Sequence, residues 1–227
     1  MGALLRKSTD SPRFRDLHRV GWVSFHSRAR SVDGLTYELS ELSGTLGPIT
    51  RGRAGQMVES LSPVDADDAH THSLSRRYGV SRFPLHVDGA HQVTPPRYLA
   101  LACHAEGTHP TPTLLADFNR KEIPSRLLAA AHSSVFRVRN GRRSFFASVL
   151  DRSRPFVRFD PGCMLPVDAE GEDTFAALSD IVEAKALSID WSVGDVLVFD
   201  NWRLLHGRGG GGSVASTDRM LLRATFA

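Results

Sequence analysis

The 227-residue sequence predicts a mainly β domain with flanking helices (α+β), of jelly-roll or barrel type. Three observations carry this. Strand-length apolar runs recur from Pro84 to the C-terminus. VFRVRNGRRSFFASVL (135–150) places Asn140-Gly141 between two alternating runs, a hairpin pattern. Helical spacing is confined to a few separated segments.

Taken in order, GWVSFHSRA (21–29) reads as a strand. TYELSELSGTLGPI (36–49) reads as a helix ended by Gly44 or Gly47. SPVDADDAHTHSLSRRYGVS (62–81) is polar, and its His70 and His72 read as loop histidines. PRYLALACHAEG (96–107) is a buried strand ending in a turn, and TPTLLADF (111–118) follows it. IPSRLLAAAHSS (123–134) and EDTFAALSDIVEAKAL (172–187) have helical spacing. PFVRFDPG (155–162), VGDVLVFDN (193–201) and RMLLRATFA (219–227) read as strands. One domain over residues 1–227 is expected, with residues 1–80 a mixed segment packed on a jelly-roll core of residues 83–227.

Composition is that of an ordinary globular chain, with 41% hydrophobic and 23% charged residues. The formal net charge of +3 is only mildly basic. No Lys/Arg run or aromatic-interleaved basic stripe stands out, so no nucleic-acid partner is expected. Cys103 and Cys163 form no CxxC pair, which argues against a disulfide framework or structural zinc. The N-terminal apolar stretch is short for a signal peptide and no run reaches transmembrane length, so a cytoplasmic protein with no membrane partner is expected. The sequence leaves the oligomeric state open.

The chemistry lies in two stretches. PLHVDGAH (84–91) puts His86 and Asp88 two apart on a strand, hence on one face. VGDVLVFDNWRLLHGRGGGGS (193–213) ends an apolar strand in Asp200, Asn201 and Trp202 and places His206 120 residues after His86. The glycines from 207 to 212 lack a phosphate-loop ending and read as a flexible hairpin connection. Two histidines and one carboxylate are the ligand types of a non-haem Fe(II) oxygenase: imidazole suits Fe(II), and three ligands on one face leave three positions open. Arg219 and Arg223 lie at i and i+4 on the last strand, facing one way. Two cations in an apolar strand need a buried anion, and guanidinium groups capture carboxylates.

Together these stretches resemble the TauD/TfdA family, the taurine-dioxygenase-like Fe(II)/2-oxoglutarate oxygenases, from roughly Phe83 to the C-terminus. The resemblance implies a double-stranded β-helix (cupin-like), with His86, Asp88 and His206 as catalytic iron ligands. It implies that Thr113 hydrogen-bonds, and Arg219 ion-pairs with, the distal carboxylate of 2-oxoglutarate. Arg223 falls where the family has a second basic group near the iron and substrate. The implied reaction uses Fe(II), 2-oxoglutarate and O₂ to hydroxylate a small molecule, releasing succinate and CO₂. A biosynthetic tailoring role is one form of it. An intact Asp88 argues against halogenation, while desaturation, cyclisation and epoxidation stay open. His91, Gln92, Arg158, Asn201 and Trp202 flank the metal strands and are candidates for the substrate pocket, which a basic lining would suit to an anionic compound. Two alternatives stay open: a cupin-type metal-dependent hydrolase or isomerase, and a silent jelly-roll binding module.

Overall fold

The computed structural model describes residues 14–52, 55–69, 73–210 and 217–227. His70 and His72, and the end of the glycine run from Gly211, lie outside the described residues.

The chain opens with helix α1 (Arg15–Val20), strand β1 (Trp22–His26), helix α2 (Val32–Glu41), the short helix α3 (Ser43–Leu46) and strands β2 (Ile49–Thr50) and β3 (Val58–Leu61). The helix expected over 36–49 starts earlier, because Ser31 caps it by accepting from the Gly34 N–H, and α3 ends at Gly47, whose φ is +106°. After α4 (Leu74–Tyr78) come β4 (Tyr98–Ala105), β5 (Thr113–Asp117), α5 (Ser125–Ser133), β6 (Phe136–Asn140), β7 (Arg143–Ala147), β8 (Met164–Pro166), α6 (Ala169–Glu183), β9 (Leu187–Ile189), β10 (Asp195–Asp200), β11 (Leu204–Arg208) and β12 (Met220–Phe226). The hairpin is where the sequence puts it, shifted by one residue: Asn140 pairs with Arg143 and the loop is Gly141-Arg142, with Gly141 at φ +59°. Residues 155–162 form no named strand, only a single bridge from Val157 to Leu150. Helix α6 begins at Ala169, not Glu172, because Asp168 caps it by accepting from the Gly171 N–H.

Two antiparallel sheets face each other. The larger runs β1-β10-β4-β12-β2, with β3 also on β12. The smaller runs β11-β5-β9. Residues 83–86 extend it beyond β11: Phe83 N–H donates to the Arg208 carbonyl, and His86 and His206 pair. Period-2 alternation sorts the side chains. Leu99, Leu101 and Cys103 of β4, Leu197 and Phe199 of β10 and Leu221 of β12 point between the sheets, with Leu115, Leu204 and Trp191 from the smaller side. On the other face of the larger sheet, Ala100, Ala102 and Ala224 leave room for Leu35 and Leu39 of α2, all five fully buried or nearly so. The outer face of the smaller sheet is covered by α5, α6 and the three-stranded sheet β7-β6-β8, through Leu85, Val87, Leu205, Phe136 and Leu178.

The N-terminal 80 residues do more than pack on a core. They contribute β1 to one edge of the larger sheet and β2 and β3 against β12.

Gly207 is part of β11, not of a flexible connection. A Cβ there would lie 2.7 Å from the Phe83 carbonyl oxygen and 3.1 Å from that of Pro84, so only glycine lets residues 83–86 close against the strand. Gly207→Ala is expected to cost about 1–3 kcal/mol by forcing these backbones apart, lowering the melting temperature by roughly 2–4 °C per kcal/mol. Gly210→Ala, with nothing within 4 Å of the added carbon, should leave it unchanged. Thermal denaturation of the two variants checks this.

Candidate metal centre

In the stretch 85–88, Leu85 and Val87 point out into the core while His86 and Asp88 point between the sheets. His86 and His206 are direct cross-strand neighbours: each backbone N–H donates to the other's carbonyl at 2.9 Å. Their rings lie 4.4 Å apart between centroids. Asp88 Oδ1 sits 3.5 Å from His86 Nε2 and 3.9 Å from His206 Nε2. One ligand atom from each of the three residues falls within 4.8 Å of the others, the spread a single cation can span. Among the described residues this is the one such group of His, Cys, Asp or Glu.

The donor set fits a divalent cation. His86 Nδ1 lies 3.0 Å from the Pro84 carbonyl. A carbonyl can only accept, so Nδ1 carries the hydrogen and Nε2 offers its lone pair inward. Asp88 Oδ2 accepts from Arg223 Nη1 at 2.6 Å, which leaves Oδ1 facing the imidazoles. Arg223 Nη2 donates to Glu59 Oε2, also at 2.6 Å, and Glu59 is its register partner on β3. Burial alone would raise the pKa of Asp88, but Arg223 and the two imidazoles hold it well below the usual carboxylate range. Burial disfavours charge on His86, yet Asp88, Asp160 and the Pro84 carbonyl outweigh it and its pKa is raised. Burial, then the neighbouring His86, pushes His206 down to about 3.

Arg219 is different. It is buried, its Nη1 donates to Thr111 Oγ1 at 2.6 Å, and its Nε has no partner. Among the described residues no carboxylate comes within ion-pair distance of it, and burial brings its pKa down to about 10. Thr113 Oγ1 accepts from Trp191 Nε1 at 3.0 Å. Both threonine hydroxyls therefore accept from the protein and retain their own proton to donate. Thr111, two residues ahead of Thr113 and just before β5, is not singled out by the sequence.

Three of the five pocket candidates, Asn201, Trp202 and Arg158, direct their polar groups at neighbouring backbone. Asn201 is fully buried and spends its amide on the backbone of Asp88 and Pro96. Trp202 Nε1 donates to the Pro95 carbonyl and its ring packs on Phe156. Arg158 lies over the rings of Phe145 and Phe156 and donates to the carbonyls of Ala90, Gln92 and Val93. These three hold the loop from residue 88 to 97 in place. His91 and Gln92 ride on that loop, half-buried and exposed. A surface groove of about 830 Å³ lined by Trp22, Asp117, Lys185 and Arg203, among others, contains none of the triad.

The description "Taurine catabolism dioxygenase TauD, TfdA family" matches residues 107–225, just over half of the sequence. This chain belongs to the TauD/TfdA family. The matched span holds Thr111, Thr113, His206, Arg219 and Arg223, and begins after His86 and Asp88. Clavaminate synthase 2 of Streptomyces clavuligerus is 26% identical over 172 residues, covering 69% of this chain. The chain spans about half (51%) of that relative's length. Asparagine oxygenase (AsnO) superposes with a TM-score of 0.73 at 20% identity, over 99% of this chain and 78% of that one. The non-haem iron oxygenase OrfP, in complex with Fe, succinate and (3S)-hydroxy-L-Arg, superposes with a TM-score of 0.70 at 17% identity, over 95% and 79%. These likenesses make the fold a double-stranded β-helix.

The charge states predict a proton count. In metal-free protein the raised pKa of His86 favours its imidazolium form, while near neutral pH His206 is the neutral imidazole and Asp88 the carboxylate. A cation bound through His86 Nε2 must displace that proton. Binding at pH 6.5 is expected to release roughly one proton at most, falling towards zero as pH rises past the His86 pKa. Calorimetric titration with Co(II) in two buffers of different ionisation enthalpy measures this. A count near two would mean that His206 also starts protonated.

Proposed function

We propose that this chain is an Fe(II)/2-oxoglutarate-dependent oxygenase that hydroxylates a small amino-acid-like substrate. The carrying observation is the pairing of an inward-facing His86/Asp88/His206 set with a buried Arg219, immediately before β12 of the opposite sheet, that no described carboxylate pairs. Family membership supports the reaction class, and we read residues 14–227 as one domain because β1, β2 and β3 are hydrogen-bonded into the sheet that carries β12.

In this reading His86, Asp88 and His206 hold the iron. Arg219, with the hydroxyls of Thr111 and Thr113, receives the distal carboxylate of 2-oxoglutarate. When bound, iron with 2-oxoglutarate and O₂ supplies the oxidising power to convert a C–H bond to C–OH, leaving succinate and CO₂. The protein's own contribution is to orient. Arg223 keeps Asp88 ionised and turns one oxygen inward. Phe199, whose ring centroid is 5.0 Å from that of His206, and Leu221 make the inter-sheet space apolar and exclude water.

Substrate class is argued from charge. Arg223 and Glu59 place a cation and an anion side by side next to Asp88. A zwitterion can exchange with such a pair at little electrostatic cost, whereas a simple anion would leave Glu59 facing it. The solved relatives named above carry hydroxylated asparagine and arginine in their descriptions, which supports an amino-acid-like compound. Arg223 is thus proposed to serve Asp88 and the substrate, rather than the distal carboxylate of 2-oxoglutarate.

Two measurements test this. His206→Ala should abolish substrate-dependent succinate release, while Arg219→Ala should raise the 2-oxoglutarate requirement about ten- to a hundred-fold, the worth of a charge-assisted hydrogen bond of roughly 1.5–3 kcal/mol. Metal-dependent turnover without 2-oxoglutarate would instead favour a hydrolase or isomerase. A panel of free amino acids beside the matching amines and carboxylic acids, scored by succinate release, should favour the zwitterions. Glu59→Gln should erode that preference, and equal turnover of the acids would remove the zwitterion assignment.

A further inference from the structure

Asn201 stands in the turn between β10 and β11, fully buried. Its side-chain amide has two N–H donors and one carbonyl acceptor, and all are used. Oδ1 accepts from the Asp88 backbone N–H at 2.9 Å. Nδ2 donates to the Asp88 carbonyl at 3.0 Å and to the Pro96 carbonyl at 2.8 Å. Two acceptors and one donor around it admit a single orientation of the amide. Its own backbone N–H donates to the Arg97 carbonyl at 2.7 Å.

This pattern answers a local problem. After Val87 the chain leaves the sheet at Asp88, and Gly89 turns it at φ +72°. The backbone N–H and carbonyl of Asp88 then have no strand beside them, and buried groups left unpaired are costly. Asn201 replaces the missing strand. It is also covalently close to His206, five residues ahead on β11. The segment bearing His86 and Asp88 is thereby joined to β11 and the turn before it at two points, the backbone pair of the two histidines and the Asn201 bracket on Asp88.

We propose that Asn201 is the positioning residue for the metal-binding carboxylate: by gripping both backbone polar groups of Asp88 from the turn that leads into β11 and His206, it fixes the carboxylate against the two imidazoles. This rests on the metal reading above. An aspartate at 201 would keep the acceptor but lose both donors and turn a charge onto two carbonyls. An alanine would release the Asp88 peptide altogether.

The test is Co(II) titration of the metal-free protein, read by calorimetry and by the visible Co(II) spectrum, on wild type, Asn201→Ala, Asn201→Asp, Asp88→Ala and Phe156→Ala. Phe156, buried against Trp202 and Arg158, supports the same loop without touching Asp88. Both Asn201 variants should bind Co(II) about ten- to a hundred-fold more weakly, with an altered spectrum, while retaining a cooperative thermal transition. Phe156→Ala should lower the melting temperature and leave Co(II) affinity and spectrum as in wild type. Folded Asn201 variants with wild-type affinity and spectrum would overturn the inference, as would an equal loss of affinity in Phe156→Ala. Wild type that binds no Co(II), or binds it equally well in Asp88→Ala, would overturn the metal reading and this inference with it. Amide exchange on the wild-type protein needs no variant to fold: the Asp88 amide should be protected, and exchange at the rate of an exposed amide overturns the bracket.

Discussion

Two reciprocal hydrogen bonds between the backbones of His86 and His206, each 2.9 Å long, tie residues 83–86 to β11 and thereby fix how far apart the two imidazoles stand. Antiparallel partners project side chains to the same face at fixed spacing, so the ring separation of 4.4 Å is a property of the sheet rather than of either side chain. The glycine after His206 is part of the same constraint, since its missing Cβ is what lets the backbones of Phe83 and Pro84 close in. Everything polar in the inter-sheet space is placed relative to this pair.

Arg223 on β12 and Arg219 just before it divide the space into two electrostatic environments. Arg223 sits at the end nearer the triad and meets Asp88 and Glu59, so its charge is balanced within the protein. Arg219, expected on the same strand four residues earlier, instead precedes β12, separated from Arg223 by a register irregularity between Met220 and Leu221, and among the described residues its guanidinium meets a threonine hydroxyl and no carboxylate. Arg208 crowds the same end: it stacks on Phe83, donates to the Gly79 and Ser81 carbonyls, and has its pKa pushed down to about 10 by burial and by Arg219. A buried guanidinium beside a second cation is unfavourable unless something anionic enters. The short segment from 219 to 223 thus carries an arginine satisfied by the protein and an arginine that is not.

Much of this was legible in the sequence, and the limits have physical causes. Strand-length apolar runs located β4, β5, β10 and β12, because strands covered on both faces carry few polar residues. His-x-Asp spacing placed two groups on one face, since side chains alternate along a strand. Three things escaped. The turn and cap positions moved by one to four residues, as at Gly141 and Asp168, because a cap depends on which N–H is orphaned in the folded chain. Glu59 gave no signal, since its importance comes only from the register of β3 on β12. Asn201, Trp202 and Arg158 looked like pocket residues because they neighbour the motif, yet their hydrogen bonds are directed at the backbone of residues 88–96. Sequence adjacency to a site identifies residues that serve it, without separating those that touch the ligand from those that hold the groups that do.

That separation follows from where regular structure stops. His86 and His206 lie within the sheet and need no side-chain bracket, because ladder hydrogen bonds already satisfy their peptides. Asp88 lies one step past the ladder, where Gly89 has turned the chain away, and its peptide must be satisfied by something else. The carboxylate consequently depends on two side chains from distant segments, Asn201 on its backbone and Arg223 on its outer oxygen. A loop-borne ligand flanked by two strand-borne ones is the place where such a centre can be loosened, and the polar residues gathered around it are those that prevent this.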